Sequence, residues 1–123
     1  MKTIGIIALS GCVDKEKLNN AKLNLEKIGF KVKLSENIFY KKRYFSGEDE
    51  DKLKALSDLF QDPEIDIIMC ARGGYGAIRL LNHIDYNLIK NNQKVFCGFS
   101  DVTALLLMIY KKTGMITYHG PMA

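Results

Sequence analysis

The sequence predicts an α/β fold: a flavodoxin-like, doubly wound, mainly parallel sheet of about five strands with helices on both faces. Short apolar runs alternate along the chain with stretches whose apolar residues recur at helical spacing. The first run, Thr3 to Leu9, is almost continuously apolar, as expected of a strand covered on both faces. This alternation of strand and helix patterns is typical of parallel sheets.

The first half of the chain predicts three elements after that strand. A surface helix runs from Asp14 to Ile28, with Gly29 at its carboxyl end. Phe30 to Leu34 alternates apolar residues with lysines, which indicates a strand with one wet face near a sheet edge. After a loop, Ser46-Gly47-Glu48-Asp49 resembles a capping box, and the next helix has a buried stripe and ends before Pro63. The stripe consists of Leu53, Leu56, Leu59 and Phe60.

The second half predicts three more strands and two helices. The strands are Ile65 to Ala71, Lys94 to Cys97 and Met115 to Tyr118. One helix includes Ala77 to Leu81, and the other, Val102 to Tyr110, is almost wholly apolar. We expect this last helix to be covered on most sides, either within the domain or by a segment outside the chain.

Length and composition indicate one globular domain. The chain has 123 residues, of which 47% are hydrophobic and 26% charged. Its longest early apolar stretch, Ile4 to Leu9, is shorter than a signal peptide or a membrane span requires, so we expect a cytoplasmic chain with no membrane partner. Three cysteines without C-x-x-C spacing indicate neither a disulfide framework nor a zinc site.

The charge pattern argues against a nucleic-acid partner. The net charge is +4, and the main basic cluster, Lys41-Lys42-Arg43, lies between Tyr40 and Tyr44. Acidic residues from Glu48 to Asp51 follow almost at once, so no broad basic face is expected. A solvated loop is the simpler interpretation of the cluster.

The run Gly98-Phe99-Ser100-Asp101 lies between a predicted strand and the apolar helix, where a hydrolase mounts a nucleophilic serine. A serine in such a turn is exposed, and the N–H of Asp101 can donate to a developing oxyanion. The pattern G-x-S-x-G is only partly met, because Val102 occupies the last glycine position. Helix capping by Ser100 or Asp101 is the alternative.

A second glycine turn, Arg72-Gly73-Gly74-Tyr75-Gly76, follows another predicted strand. Gly73 or Gly74 can supply the second oxyanion donor, Arg72 can bind a carboxylate or phosphate, and Tyr75 can wall the cleft. Both turns lie at carboxyl ends of strands, so they are expected to share one crevice. A phosphate cradle and a turn without a ligand are the alternatives.

The two histidines and the thiol of Cys97 are further candidate reactive groups. His83 follows a helix, and a structural or surface role is the simpler interpretation. His119 follows the last predicted strand, where it can line the crevice and contact substrate. Cys97 lies close to Ser100, but its simpler role is that of a small buried hydrophobe. No spacing supports a metal site.

Four strings together resemble the LD-carboxypeptidase family of serine peptidases over nearly the whole chain. They are Phe45-Ser46-Gly47-Glu48-Asp49, Cys70-Ala71-Arg72-Gly73-Gly74-Tyr75-Gly76-Ala77, Gly98-Phe99-Ser100-Asp101-Val102-Thr103 and His119-Gly120-Pro121-Met122. The resemblance covers only the amino-terminal part of the family's two-domain architecture. It implies that residues 1–123 are the nucleophile-bearing domain and that a carboxy-terminal domain is absent.

The resemblance also implies the roles of individual residues. Ser100 would be the nucleophile, Asp101 and Gly73–Gly74 the backbone oxyanion donors, and Arg72 and Tyr75 the walls of the cleft. The family's triad is Ser-Glu-His, and its glutamate and histidine come from the carboxy-terminal domain. Neither His83 nor His119 matches that base, so the chain alone is expected to be inactive.

The implied reaction is cofactor-free hydrolysis that releases terminal D-alanine from murein tetrapeptide during cell-wall recycling. Related members hydrolyse microcin C-type peptidyl nucleotides instead and confer self-immunity. Homodimers are usual in the family, so a homodimer is an expected partner state. Two alternatives from other classes are a non-catalytic phosphate- or nucleotide-binding module and a structural partner that docks through the helix Val102 to Tyr110.

Overall fold

The protein is a parallel sheet with helices on both faces, as the sequence predicts. A computed structural model describes residues 2–9, 15–35, 49–71, 80–98 and 102–119, without the side chains of 102–104 and 119. The strands, all parallel, lie in the order β2-β1-β3-β4-β5. They are β1 (Thr3–Ile7), β2 (Lys31–Leu34), β3 (Ile67–Cys70), β4 (Val95–Gly98) and the two-residue β5 (Tyr118–His119). The described helices are α1 (Lys15–Ile28), α2 (Asp49–Gln61), α3 (Tyr86–Asn91) and α4 (Val102–Thr113).

Two apolar clusters cover the two faces of the sheet. On one face, Ile7, Ile68 and Phe96 pack with buried residues of α2, α3 and α4. On the other face, Ile4 and Ile6 pack with the α1 cluster around Leu18. Side chains alternate between faces along a strand, so β1 contributes to both clusters. The doubly wound arrangement is therefore confirmed.

The edge position of β2 and the glycine that ends α1 are confirmed. Gly29 follows α1 with a φ of 118°, a conformation that residues with a Cβ rarely adopt. Among the described strands, β2 pairs with β1 alone and lies at the end of the sheet. Lys31 and Lys33 are exposed on it while Val32 and Leu34 are half-buried, which is the alternation that the sequence indicates.

Helix α2 approaches the middle of β1 closely. A Cβ at Gly5 would lie 3.0 Å from Ile65 Cδ1 and 3.3 Å from Leu59 Cδ2, so glycine makes this approach feasible. The predicted stripe is mostly right, since Leu56, Leu59 and Phe60 are buried. Leu53 is only partly buried, while Ala55 and Lys52 complete the buried face. Residues 46–48 of the proposed capping box lie outside the described residues.

The sequence analysis missed α3. This six-residue helix is capped by Asp85, whose carboxylate accepts a hydrogen bond from the Leu88 N–H at 3.1 Å. Tyr86 adds a hydrogen bond from its hydroxyl to the carbonyl of Leu81 at 2.6 Å. The helix predicted over 77–81 lies outside the described residues up to 79, and Leu81 itself is in a turn.

Of the two alternatives for covering α4, coverage by the domain itself is not found among the described residues, and coverage by a segment outside the chain stays a prediction. The inner face of the helix is buried through Leu105, Leu106 and Ile109, but Leu107 is 66% exposed and Tyr110 57% exposed. The helix also continues to Thr113, three residues beyond the predicted end. The described residues thus leave one apolar face of α4 uncovered.

The last strand begins later than predicted. Thr113 Oγ1 donates to the carbonyl of Ile109 at 2.6 Å and accepts from the Met115 N–H at 3.1 Å. Thr117 Oγ1 donates to the carbonyl of Leu106 at 3.0 Å. These bonds hold residues 115–117 against α4, so pairing with β4 starts only at Tyr118.

Candidate functional site

The carboxyl ends of adjacent strands lie level at one edge of the sheet. Ile7 pairs with Cys70, and the Ala71 N–H extends the β1–β3 ladder by donating to the carbonyl of Ile7 at 2.8 Å. On the other side of β3, Met69 pairs with Cys97 of β4. Neighbouring strands are about 4.8 Å apart, so the segments that follow β3 and β4 begin side by side. This edge is where α/β sheets bind ligands.

The residues with predicted chemistry follow these strand ends directly in sequence. Arg72 comes after Ala71, and Ser100 is the second residue after Gly98. Arg72, Gly73, Gly74, Tyr75, Ser100 and Asp101 lie outside the described residues. The strands that precede these residues end side by side, and the roles of the residues stay predictions.

His119 lies in the sheet. The sequence analysis expected it to follow the last strand, but its backbone belongs to β5 and pairs with Gly98 of β4. Because residues 115–117 are bonded to α4, the strand starts later in the sequence and includes His119. His119 is therefore level with Gly98 at the end of β4, and Ser100 follows Gly98 by two residues. Its side chain is outside the description.

His83 is an exposed turn residue. Its N–H donates to the carbonyl of Leu80 at 2.9 Å. The side chain lines a small pocket of about 70 Å³ between α2 and α3, together with Ser57 and Asp85. A serine, a histidine and an aspartate thus line one pocket, but the Asp85 carboxylate caps α3, which gives its position a structural explanation. The interpretation of His83 as a surface residue is consistent with this position.

The two described cysteines serve packing. Cys70 is buried in the core, and Cys97 is half-buried on the opposite face of the sheet. Burial raises the pKa of the Cys97 thiol, which reduces its thiolate fraction at neutral pH. Cys97 is therefore poorly suited to act as a nucleophile.

In the part of the chain that the structure describes, no three His, Cys, Asp or Glu side chains are grouped so that they could hold a metal ion. Among the same residues, no helix combines the length and the apolar character needed to cross a bilayer.

A groove of about 770 Å³ lies beside the edge strand β2, away from the carboxyl ends of the strands, which we call the candidate edge. Its lining includes Phe30, Lys31, Lys33 and Glu64. At this amino end of the sheet, Lys33 binds Asp62 at 2.9 Å and Glu64 at 2.8 Å. These exposed ion pairs explain the polar lining without a ligand.

One charged residue near the candidate edge was missed by the sequence analysis. Lys52 is fully buried in the first turn of α2. The signal was present in the spacing, because position 52 lies three, four and seven residues before the buried Ala55, Leu56 and Leu59. An apolar pattern search passes over a lysine at such a position.

Comparison with known proteins identifies relatives over almost the whole chain. Residues 4–120 match the family model described as LD-carboxypeptidase N-terminal domain. A probable murein peptide carboxypeptidase of Bacillus subtilis is 40% identical over 120 residues, which cover 98% of this chain and 38% of that protein. The microcin C7 self-immunity protein MccF of Escherichia coli is 38% identical over 97 residues, covering 79% of this chain and 28% of that protein.

A solved structure shares the fold. The crystal structure of an MccF-like protein from Bacillus anthracis superposes with a TM-score of 0.94 at 37% identity, covering 98% of this chain and 38% of that one. The chain thus spans less than two fifths of the length of these three relatives.

Proposed function

Because the chain belongs to the LD-carboxypeptidase family, we propose that it is the nucleophile-bearing domain of a serine carboxypeptidase that releases terminal D-alanine from murein tetrapeptide. The observation that carries the proposal is the register at the carboxyl edge. The segments bearing Gly73–Gly74 and Ser100 start from adjacent strands, at Ala71 and Gly98. A nucleophile and its oxyanion donors must converge within a few ångströms, and neighbouring strand ends provide that proximity.

The proposed chemistry divides between backbone and side chains. Ser100 Oγ attacks the carbonyl carbon of the LD bond, and its proton passes to a base. The N–H groups of Asp101 and of Gly73 or Gly74 donate to the oxyanion. The bond to D-alanine then breaks, the amine leaves with the transferred proton, and water hydrolyses the acyl-serine. We assign the base and its glutamate partner to a carboxy-terminal domain.

Substrate recognition is assigned to residues around the same edge. Arg72 would bind a substrate carboxylate through its planar guanidinium, and Tyr75 would wall the cleft. We assign His119 to the same edge, and the pairing of its backbone with Gly98 at the end of β4 supports this assignment. The proposed reaction takes place in the cytoplasm and needs no cofactor.

A second candidate substrate is a microcin C-type peptidyl nucleotide. The similarity to MccF, whose name describes microcin C7 self-immunity, favours this candidate. Both substrates present an acyl group to the same nucleophile, so they differ in the leaving group and not in the catalytic edge.

The two candidates are separated by offering both substrates to the full-length protein. Murein tetrapeptide and a peptidyl nucleotide are supplied at equal concentrations, and the products are measured by mass spectrometry. Release of D-alanine at the higher kcat/KM supports the murein role. Preferential cleavage of the peptidyl nucleotide supports the self-immunity role, and binding without turnover of either substrate favours a non-catalytic module.

A further inference from the structure

Lys52 is a fully buried basic residue that none of the proposed roles uses. Its relative exposure is 0%, and it forms the first position of the buried face of α2. The rest of that face is apolar and packs into the main core with Ile7, Ile68 and Phe96. Lys52 takes part in an interaction in the structure. Its side chain is a basic group held within the core.

The position of Lys52 along the sheet follows from the packing of α2 on β1. Leu59 reaches Gly5, as its Cδ2 atom would lie 3.3 Å from a Cβ there. Lys52 precedes Leu59 by seven residues, or about 10 Å of helix. The same length spans about three residues of a strand. Helix α2 runs opposite to β1, because α2 leads into β3, which is parallel to β1. Lys52 is thus level with Ala8, just beyond the end of β1.

The direction of the side chain carries the charge further toward the candidate edge. Cα–Cβ bonds in a helix tilt toward its amino terminus, and α2 begins at the carboxyl edge of the sheet. This geometry directs the Lys52 side chain toward the ends of β1 and β3. Ala71, which bonds to the carbonyl of Ile7 at this end, directly precedes Arg72.

Stability alone gives a poor account of this lysine. Burial of an ammonium is costly unless the ion is well paired, and an apolar side chain of similar size often serves stability as well or better. A cation in the first turn of a helix also opposes the helix dipole. Asp49 and Asp51, in the same turn, have the charge that the dipole favours. A role at the edge explains why a positive charge is placed here.

We propose that Lys52 is a positioning residue for the site at the carboxyl edge: its buried ammonium holds the ends of β1 and β3 in the geometry that the reaction needs. This inference rests on the proposed function for its catalytic readout. Lys52 is fully buried, so it acts through the protein groups around it and does not contact substrate. Loss of its charge is expected to impair the reaction step more than substrate binding.

The test uses the full-length protein with Lys52→Met, which removes the charge and keeps most of the side-chain volume. A misplaced site lowers kcat by about 10- to 100-fold while KM changes little. Lys52→Arg keeps the charge on a larger planar group, so its kcat should fall between those of the wild type and Lys52→Met. Lys54→Met is the matched control, because Lys54 lies on the exposed face of the same helix and pairs with Asp58. It should retain wild-type kcat.

Wild-type kcat and KM in folded Lys52→Met would overturn the proposal, as would an equal loss of kcat in Lys54→Met. If Lys52→Met does not fold, Lys52→Arg decides: a lower kcat at unchanged KM supports positioning, and wild-type values contradict it.

Amide hydrogen exchange gives a second readout that does not depend on the substrate. Ala71 and Asp66 both donate from the β3 segment to β1, at 2.8 Å and 2.9 Å, but at opposite ends of the strand. Removal of the Lys52 side-chain amine by Met, or its replacement by the larger guanidinium of Arg, should accelerate exchange at Ala71 and leave Asp66 unchanged. Equal acceleration at both amides, or none at Ala71, would overturn the proposal. If the wild type releases no D-alanine, the proposed function fails, and exchange at Ala71 still tests Lys52.

Discussion

The rings of Phe60 in α2 and Phe96 in β4 stack with their centroids 5.8 Å apart and their planes at 10° to each other. Both side chains are fully buried. The contact joins the helix that carries Lys52 to the strand that ends at Gly98. The aromatic pair therefore links the core of the domain to the candidate edge.

We expect Phe60→Ala and Phe96→Ala each to destabilise the chain by about 3–5 kcal/mol, because each removes a buried ring and leaves a cavity. The double variant should lose less than the sum, since the stacked pair is worth about 0.5–1.5 kcal/mol beyond its burial. Urea unfolding of the four proteins measures this coupling. Strictly additive losses would mean that the stacking contributes nothing.

Lys94, which directly precedes β4, binds the segment between α2 and β3. Its ammonium donates to the carbonyls of Asp62 and Ile65, both at 2.8 Å. Lys94→Met leaves these carbonyls without that donor and should cost about 1–3 kcal/mol of unfolding free energy. Lys90→Met, on the exposed side of α3, is the control and should cost far less. Similar losses in the two variants would show that the hydrogen bonds of Lys94 are unimportant.

Asp62 makes stability depend on pH in the acid range. The hydrogen bond from Lys33, and then that from the Glu64 N–H, lowers the pKa of Asp62 below its ordinary value of 3.8. A lowered folded-state pKa gives stability that is present above 3.8 and is lost as pH falls through the folded-state value. The stability difference between wild type and Asp62→Asn should therefore shrink below about pH 4. A difference that stays constant in acid would contradict this linkage.

Cys97 should be dispensable for chemistry. Because burial raises the pKa of its thiol, the thiolate is scarce at neutral pH. Cys97→Ala in the full-length protein should keep kcat within about twofold and cost about 1 kcal/mol of stability through lost packing. Steady-state kinetics and thermal unfolding measure the two effects. Loss of turnover in a folded Cys97→Ala protein would reopen the thiol as the nucleophile.

Regular patterns allowed much of the fold to be predicted. Alternating lysines in Lys31–Leu34 identify an edge strand, and the continuous apolar run of Thr3–Ile7 identifies a central one. Helix α3 was missed because six residues are too few to show a helical period, although Asp85 three residues before Leu88 was an available cap signal. The late start of β5 depends on Thr113 and Thr117, whose bonds to α4 no local pattern reveals.

Only part of the candidate site could be predicted from the sequence. The segments that bear the predicted glycine turns each follow a strand in sequence, and the parallel register puts the ends of these two strands side by side. Lys52 was missed because burial of a charge depends on tertiary packing, whereas sequence patterns identify buried positions by apolar residues. His119 was assigned to the correct edge but to the wrong side of the strand boundary.

The central claim is that Ser100, at the end of β4, is the nucleophile of an LD-carboxypeptidase. The most direct measurement is D-alanine release from murein tetrapeptide by the full-length protein and by its Ser100→Ala variant, with Ser57→Ala as a control serine away from the edge. We predict release by the wild type and by Ser57→Ala, and a loss of several orders of magnitude in folded Ser100→Ala. Undiminished release by Ser100→Ala, or no release by the folded wild type, would contradict the account.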